Sequence, residues 1–106
     1  MPRPSPGEVW RVDLGLAAKV RPCLILSDYP GDDELALVVV VPHTTAVRGN
    51  RWEVAIPKPS LDPGVFHLQQ IQRVSLPLLE RKLGALSTDG FKQVRATLIS
   101  LLHLQR

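Results

Sequence analysis

Residues 22–41, PCLILSDYPGDDELALVVVV, place two apolar runs on either side of a polar turn. Pro22–Ser27 is almost wholly apolar, and Leu35–Val41 is apolar throughout and rich in valine. Runs of this kind, short and β-branched, read as central strands covered on both faces. Between them, Asp28-Tyr29-Pro30-Gly31-Asp32-Asp33-Glu34 carries a Pro-Gly pair, so the whole reads as a hairpin. Its acids do not follow the calcium-loop pattern and read as a solvated tip.

Outward from this hairpin, more strands follow. Glu8–Leu14 alternates, with Trp10, Val12 and Leu14 on one face and Arg11 and Asp13 on the other. Gly15–Val20 is a short loop. After Pro42–Asn50, a second loop, Arg51–Ile56 alternates again. A proline-rich connection at 57–63 leads to Val65–Val74, a strand with a bulge expected at its double glutamine. Leu76–Lys82, proline-marked and short, reads as no more than one helical turn. The strong helix signal comes last. Ser87 can cap it and Asp89 suits the first turn. Phe91, Val94, Leu98, Leu101 and Leu102 share one face by their spacing. The fold class expected is mainly β with a C-terminal helix, a small antiparallel sheet or barrel on which that helix packs.

At 106 residues, one domain spanning 1–106 is expected. Apolar residues make up 44% and charged residues 22%, ordinary globular usage that argues against disorder. No apolar run approaches membrane-spanning length, and the proline-rich start has no apolar core or cleavage pattern. No membrane association and a cytoplasmic location are therefore expected. The single cysteine, Cys23, excludes an internal disulfide or a cysteine metal cluster, and in its apolar run it reads as a small buried hydrophobe. Net charge is only +3, yet four acids crowd into residues 28–34, leaving 13 basic against 6 acidic residues elsewhere. Such a field suits an anionic partner, nucleic acid or acidic peptide.

Phosphate-loop, dinucleotide, zincin and serine-hydrolase motifs do not occur, and the three histidines have no metal-ligand spacing. No cofactor and no metal are expected. Two constellations remain. Arg21 precedes Pro22 where a polar loop enters a buried strand, and the proline restricts Arg21 to extended conformations. His43-Thr44-Thr45 follows the other buried run, behind Pro42. A guanidinium fork and a hydroxyl together suit an oxyanion such as phosphate. On the residues alone the structural reading weighs more: Arg21 paired with Asp13 or Glu53, and Thr44 bonded within a turn.

These same residues resemble a known family. Gly7-Glu8-Val9-Trp10-Arg11-Val12-Asp13-Leu14 followed by Arg21-Pro22-Cys23-Leu24-Ile25-Leu26-Ser27 is similar to the opening of the MazF/PemK toxin endoribonucleases. Val41-Pro42-His43-Thr44-Thr45 resembles the second family motif, and Leu68-Gln69-Gln70-Ile71 a later strand. The resemblance runs from about Gly7 to about Leu104. It implies an SH3-like β-barrel, a homodimer, metal-independent cleavage of single-stranded RNA, and a cognate acidic antitoxin that blocks the RNA groove. By position, Arg21 and Thr44 match the catalytic arginine and threonine, with Thr45 the neighbouring candidate. The loop before Arg21 is shorter here than in many members and has no acid and no glutamine. Gln72 stands where a basic residue is common, with Arg73 after it.

With RNA as substrate, the 2′-hydroxyl is the nucleophile and the protein aligns it and stabilises developing charge. Arg21 suits the second task but stays protonated, so it is no general base. His43 is the best-placed titratable candidate for proton transfer, although as the residue before Thr44 it equally suits a structural role pointing away, and that reading weighs more. Lys19, Arg48, Arg51, Gln70 and Arg73 are candidate RNA contacts, and Trp52 is a candidate stacking platform that equally suits a core or interface. Some of the apolar surface of Leu76, Leu78, Leu79, Leu83 and Ile99 is expected at a dimer interface. Two other classes stay open: a catalytically silent RNA- or peptide-binding module, and a CcdB-like gyrase toxin. The last needs an aromatic C-terminal segment, whereas this chain ends His103-Leu104-Gln105-Arg106.

Overall fold

A computed structural model of the protein describes residues 3–15 and 19–105. Seven strands precede one helix among these residues: β1 (Glu8–Asp13), β2 (Val20–Ile25), β3 (Leu37–Thr44), β4 (Glu53–Val54), β5 (Val65–His67), β6 (Gln72–Ser75), β7 (Leu79–Ala85) and α1 (Thr88–Leu101). All pairings are antiparallel. The path runs β4-β5-β3-β2-β1-β7, with β6 also on β3. The ladder does not return on itself, and the fold is the mainly β sheet with a C-terminal helix that the sequence predicts.

The two apolar runs form the predicted hairpin, β2 against β3, in the register Cys23↔Pro42, Leu24↔Val41, Ile25↔Val40. Both faces are buried because successive side chains point to opposite sides. Cys23, Ile25, Val38 and Val40 join Trp10, Val12, Val74 and Leu79 in one core. Leu24 and Val41 join Val9, Val54, Phe66, Leu68 and Val94 in a second, which α1 covers. β1 thus feeds both cores, Val9 into one and Trp10 and Val12 into the other, so its burial is not purely one-sided.

Four sequence expectations need correction. Val65–Val74 is two strands, not one: the double glutamine lies in a 3-10 turn, Leu68–Gln70. That break lets β5 pair with the end of β3 (His43↔Phe66, Thr44↔Val65) and β6 with its start (Leu37↔Ser75 to Val40↔Gln72). Leu76–Leu78 is indeed a single 3-10 turn, but β7 follows it and pairs with β1. Its three consecutive charges, Glu80-Arg81-Lys82, and two register shifts hide the alternation, as suits a protected edge strand. β3 extends through Pro42 to Thr44, so His43 and Thr44 stand on a strand and not in a loop. Of Arg51–Ile56 only Glu53–Val54 is strand.

Helix α1 starts as expected: the Ser87 hydroxyl oxygen accepts from the Gly90 N–H at 3.0 Å, with Asp89 in the first turn. Phe91, Val94, Leu98 and Leu101 pack inward, whereas Leu102 lies past the helix end and is 47% exposed. Leu79 is buried, and Leu76 and Leu83 pack against the cores, so of the residues expected at a dimer interface only Leu78 and Ile99 are exposed. No helix among the described residues is long and apolar enough to cross a membrane.

Glu8 ties three segments together. Its carboxylate accepts from the Ser5 N–H (2.9 Å) and Trp10 Nε1 (3.0 Å) and pairs with Lys82 Nζ (2.9 Å). Burial works to raise its pKa, but the bonds from Trp10, Lys82 and Ser5 outweigh that and hold it below the ordinary value. A carboxylate depressed in this way stabilises the fold above its unfolded pKa, and the contribution is lost as pH falls through the folded one. Glu8→Gln should therefore cost about 1 kcal/mol near neutrality, with the difference closing below about pH 4. Urea denaturation of both proteins at the two pH values measures this.

Candidate active site

Alternation along β3 sends Pro42 and Thr44 to one side and His43 to the other. Each side opens into a cleft, and Arg21, half-buried on β2, lines both. The larger cleft, about 530 Å³, brings Arg21 and Thr44 together with Arg48, His67, Gln70 and Gln72. The smaller, about 250 Å³, holds Arg21, Lys19, His43, Thr45 and Asp62. A third, largely apolar hollow of about 510 Å³ lies behind His43 and Asp62, walled by Ile56, Leu61 and the prolines of residues 57–63.

The Thr44 hydroxyl oxygen accepts from the Ala46 N–H at 3.0 Å. This is the turn bond expected of a structural threonine, but it uses an acceptor lone pair and leaves the hydroxyl proton to be donated. Asp13 and Glu53, the carboxylates considered for Arg21, each accept backbone hydrogen bonds. Asp13 accepts from the Gly15 N–H, and Glu53 from the N–H groups of Arg48, Gly49 and Asn50. Those bonds, Arg48 first, hold the Glu53 pKa low. They also fix the turn that delivers Arg48 to the larger cleft. Cys23 lies beside this site in sequence but not in chemistry: burial pushes its thiol up to about 12, against the pull of Arg21.

The other sequence candidates divide. Lys19, in a left-handed conformation at φ 57°, lines the smaller cleft, and Arg48 and Gln70 line the larger. Arg51 and Arg73 line neither. The Arg51 guanidinium covers the Trp52 ring at 4.1 Å, and Arg73 is exposed on β6 opposite Val39. Three residues that the sequence did not offer as site candidates also line the clefts. His67 is buried at 6% exposure, lines the larger cleft, and has an Nε2 without a hydrogen-bond partner among the described residues. Gln72 lines that cleft as well. Asp62 belongs to the connection that reads only as proline-rich. His67 and Asp62 have no local signal, and Gln72 shows only by its place after Gln70, since the role of each depends on where β5, β6 and the connection are brought by pairing. Among the described residues no three His, Cys, Asp or Glu side chains come together to hold a metal.

His43 is also buried, at 6% exposure, with its ring edge-on to Phe66 at 5.1 Å and 73°. Burial lowers its pKa, and the charge of Asp62 opposes this. The ring is backed by Gly64. A Cβ there would lie 2.9 Å from His43 Cε1 and collide with the Thr44 carbonyl oxygen. Only glycine lets the chain pass this close to the site.

The chain matches, over residues 5–102, the model for PemK-like, MazF-like toxins of type II toxin–antitoxin systems. Among curated protein sequences none matches significantly. Solved structures do. A mycobacterial endoribonuclease in complex with its cognate antitoxin is 28% identical, covers 97% of this chain and 98% of its own, and superposes with a TM-score of 0.80. The MazE–MazF complex of Deinococcus radiodurans is 25% identical, with 96% and 97% covered and a TM-score of 0.79. The Mycobacterium tuberculosis toxin MazF-mt6 is 25% identical, with 93% and 99% covered and a TM-score of 0.74.

The close approach at Gly64 has a measurable consequence. Gly64→Ala should lower stability by about 1–3 kcal/mol, the usual cost of overpacking. Thermal unfolding checks the loss, and the largest amide chemical-shift changes are expected at His43 and Thr44.

Proposed function

The chain belongs to the PemK-like, MazF-like toxins of type II toxin–antitoxin systems, and from this premise we propose that it is a metal-independent endoribonuclease acting on single-stranded RNA. The observation that supports this reading is the convergence of Arg21 and Thr44 on one cleft with Arg48 and Gln70. Two fixed positive charges and a hydroxyl suit a phosphodiester, and the side-chain amide suits an exposed base edge.

In this reading the RNA brings its own nucleophile. The 2′-hydroxyl attacks the adjacent phosphorus and the 5′-oxygen leaves, giving a cyclic phosphate. Arg21 offers two parallel donors to the non-bridging oxygens and stabilises the charge that grows on them. Thr44, its oxygen fixed by the Ala46 N–H, donates its proton to the same phosphate. Arg48 and Lys19 hold the flanking phosphates, and Gln70 reads a base. Thr45 is a neighbour with a lesser part. Arg51 and Arg73, outside both clefts, act at most on RNA extending beyond them.

We also propose that the active form is a homodimer in the cytoplasm, held in check by an acidic antitoxin. The deposits of exposed apolar surface at Leu78, Ile99, Leu102 and Leu104 support a further protein contact. The basic balance outside residues 28–34 supports an acidic partner.

Incubation with a long single-stranded RNA in EDTA tests the central reading. Discrete fragments are expected, whereas retarded but intact RNA would mean a binding module. Arg21→Lys keeps the charge and loses the fork, so kcat should fall by about 100-fold or more with folding retained. Thr44→Val should likewise cut cleavage strongly while RNA binding persists, and Thr45→Val should do less. Light scattering should report about twice the chain mass at micromolar concentration. A stable, fully active monomer would overturn the dimer.

A further inference from the structure

His43 and Asp62 line a different cleft from Thr44, and Arg21 borders both clefts. Both line the smaller cleft with Arg21, and both also wall the apolar hollow behind it. Among the described residues, Asp62 is the one carboxylate lining either cavity. The imidazole is held in place by the edge contact to Phe66 and by the Gly64 backbone against its Cε1. Among the described residues, the charged groups lining the two cavities that His43 borders are Arg21, Lys19, Asp62 and Lys58, the last with its ammonium donating to the Ala85 carbonyl, and β5 meets the ring through Phe66.

We propose that His43 takes the proton of the attacking 2′-hydroxyl and that Asp62 is its positioning residue, a pairing that deepens and rests on the ribonuclease reading. In-line displacement sets the entering and leaving oxygens on opposite sides of phosphorus. Arg21 lines the His43 cleft as well as the Thr44 cleft, so a phosphate it holds borders both. The O2′–P bond forms as the P–O5′ bond breaks. The 2′ proton passes to the neutral imidazole, the electron pair leaves on O5′, and O5′ takes a proton from solvent. The imidazolium then returns its proton to solvent, and nothing is oxidised or reduced. The Asp62 carboxylate stabilises that imidazolium across the cleft. This role has no competitor in residues 15–20, which contain no acid and no glutamine. Burial alone would make His43 a weak base, and Asp62 works against that loss.

The test is the pH dependence of cleavage of one long single-stranded RNA, from about pH 5 to about pH 8, for the wild type, Asp62→Asn, Asp62→Glu and His43→Gln. His43→Gln should lower kcat by about 100-fold and abolish the acid limb. In Asp62→Asn the limb should move to lower pH and the plateau kcat fall about tenfold. KM should hold or fall, because a charge that repels phosphate is gone. Asp62→Glu should restore the limb in part. Asp62 is exposed, so its variants should fold. An NMR titration of the His43 Cε1 resonance in the RNA-free protein should show the same downward move in Asp62→Asn. A wild type that leaves RNA intact in EDTA would overturn the ribonuclease reading itself. A wild type that cuts, with the Asp62→Asn limb and plateau unmoved, would overturn the role of Asp62 alone. Unchanged kcat in folded His43→Gln would overturn the proton transfer to His43.

Discussion

The pairing of Cys23, Leu24 and Ile25 with Pro42, Val41 and Val40 fixes which side of the sheet every side chain of the site occupies. Side chains alternate along a strand, so a slip of one residue would exchange the clefts of His43 and Thr44. It would also swap the inward residues of the two cores, moving Val40 away from Trp10 and Val41 away from Phe66. The chemistry is therefore guarded by burial. The valines that fill both cores are the same residues that hold Thr44 beside Arg21. β3 serves this purpose by using both edges, β2 along one and β5 with β6 along the other.

Around that strand the site is assembled from short, individually weak pieces. Two backbone devices fix the loops that matter most. Glu53 gathers three N–H groups and so defines the turn carrying Arg48. Gly64 lets the 57–64 connection touch the end of β3 and brings Asp62 to the cleft. Neither device lies on a long regular element, and each works through close contact with the backbone. Positive charge dominates the larger cleft, where Arg21 and Arg48 face polar glutamines, whereas the smaller one mixes signs. One basic residue thus borders two different chemical environments.

The sequence discloses this architecture unevenly, for physical reasons. The β2–β3 hairpin is legible because continuous apolar runs around a Pro-Gly turn have few alternatives. Helix α1 is legible because its cap and stripe are local. β7 is not, since an edge strand with bulges and outward charges shows little periodicity. The break at Gln69-Gln70 is hidden because it answers to the edge of β3 and not to any strong turn residue. In the site, Arg21 and Thr44 stand out beside prolines at strand ends. His67 and Asp62 do not, because their meaning comes wholly from pairing partners distant in sequence.

The burial of Cys23 bears on how the protein can be watched. Its thiol sits between Trp10 on β1 and Pro42 on β3, in the register of both ladders, and is held protonated at any ordinary pH. A thiol-directed reagent meets it only when the three central strands separate. Alkylation of this single thiol therefore reports the opening of the whole sheet, and its rate in the presence of a partner measures how strongly that partner clamps the fold.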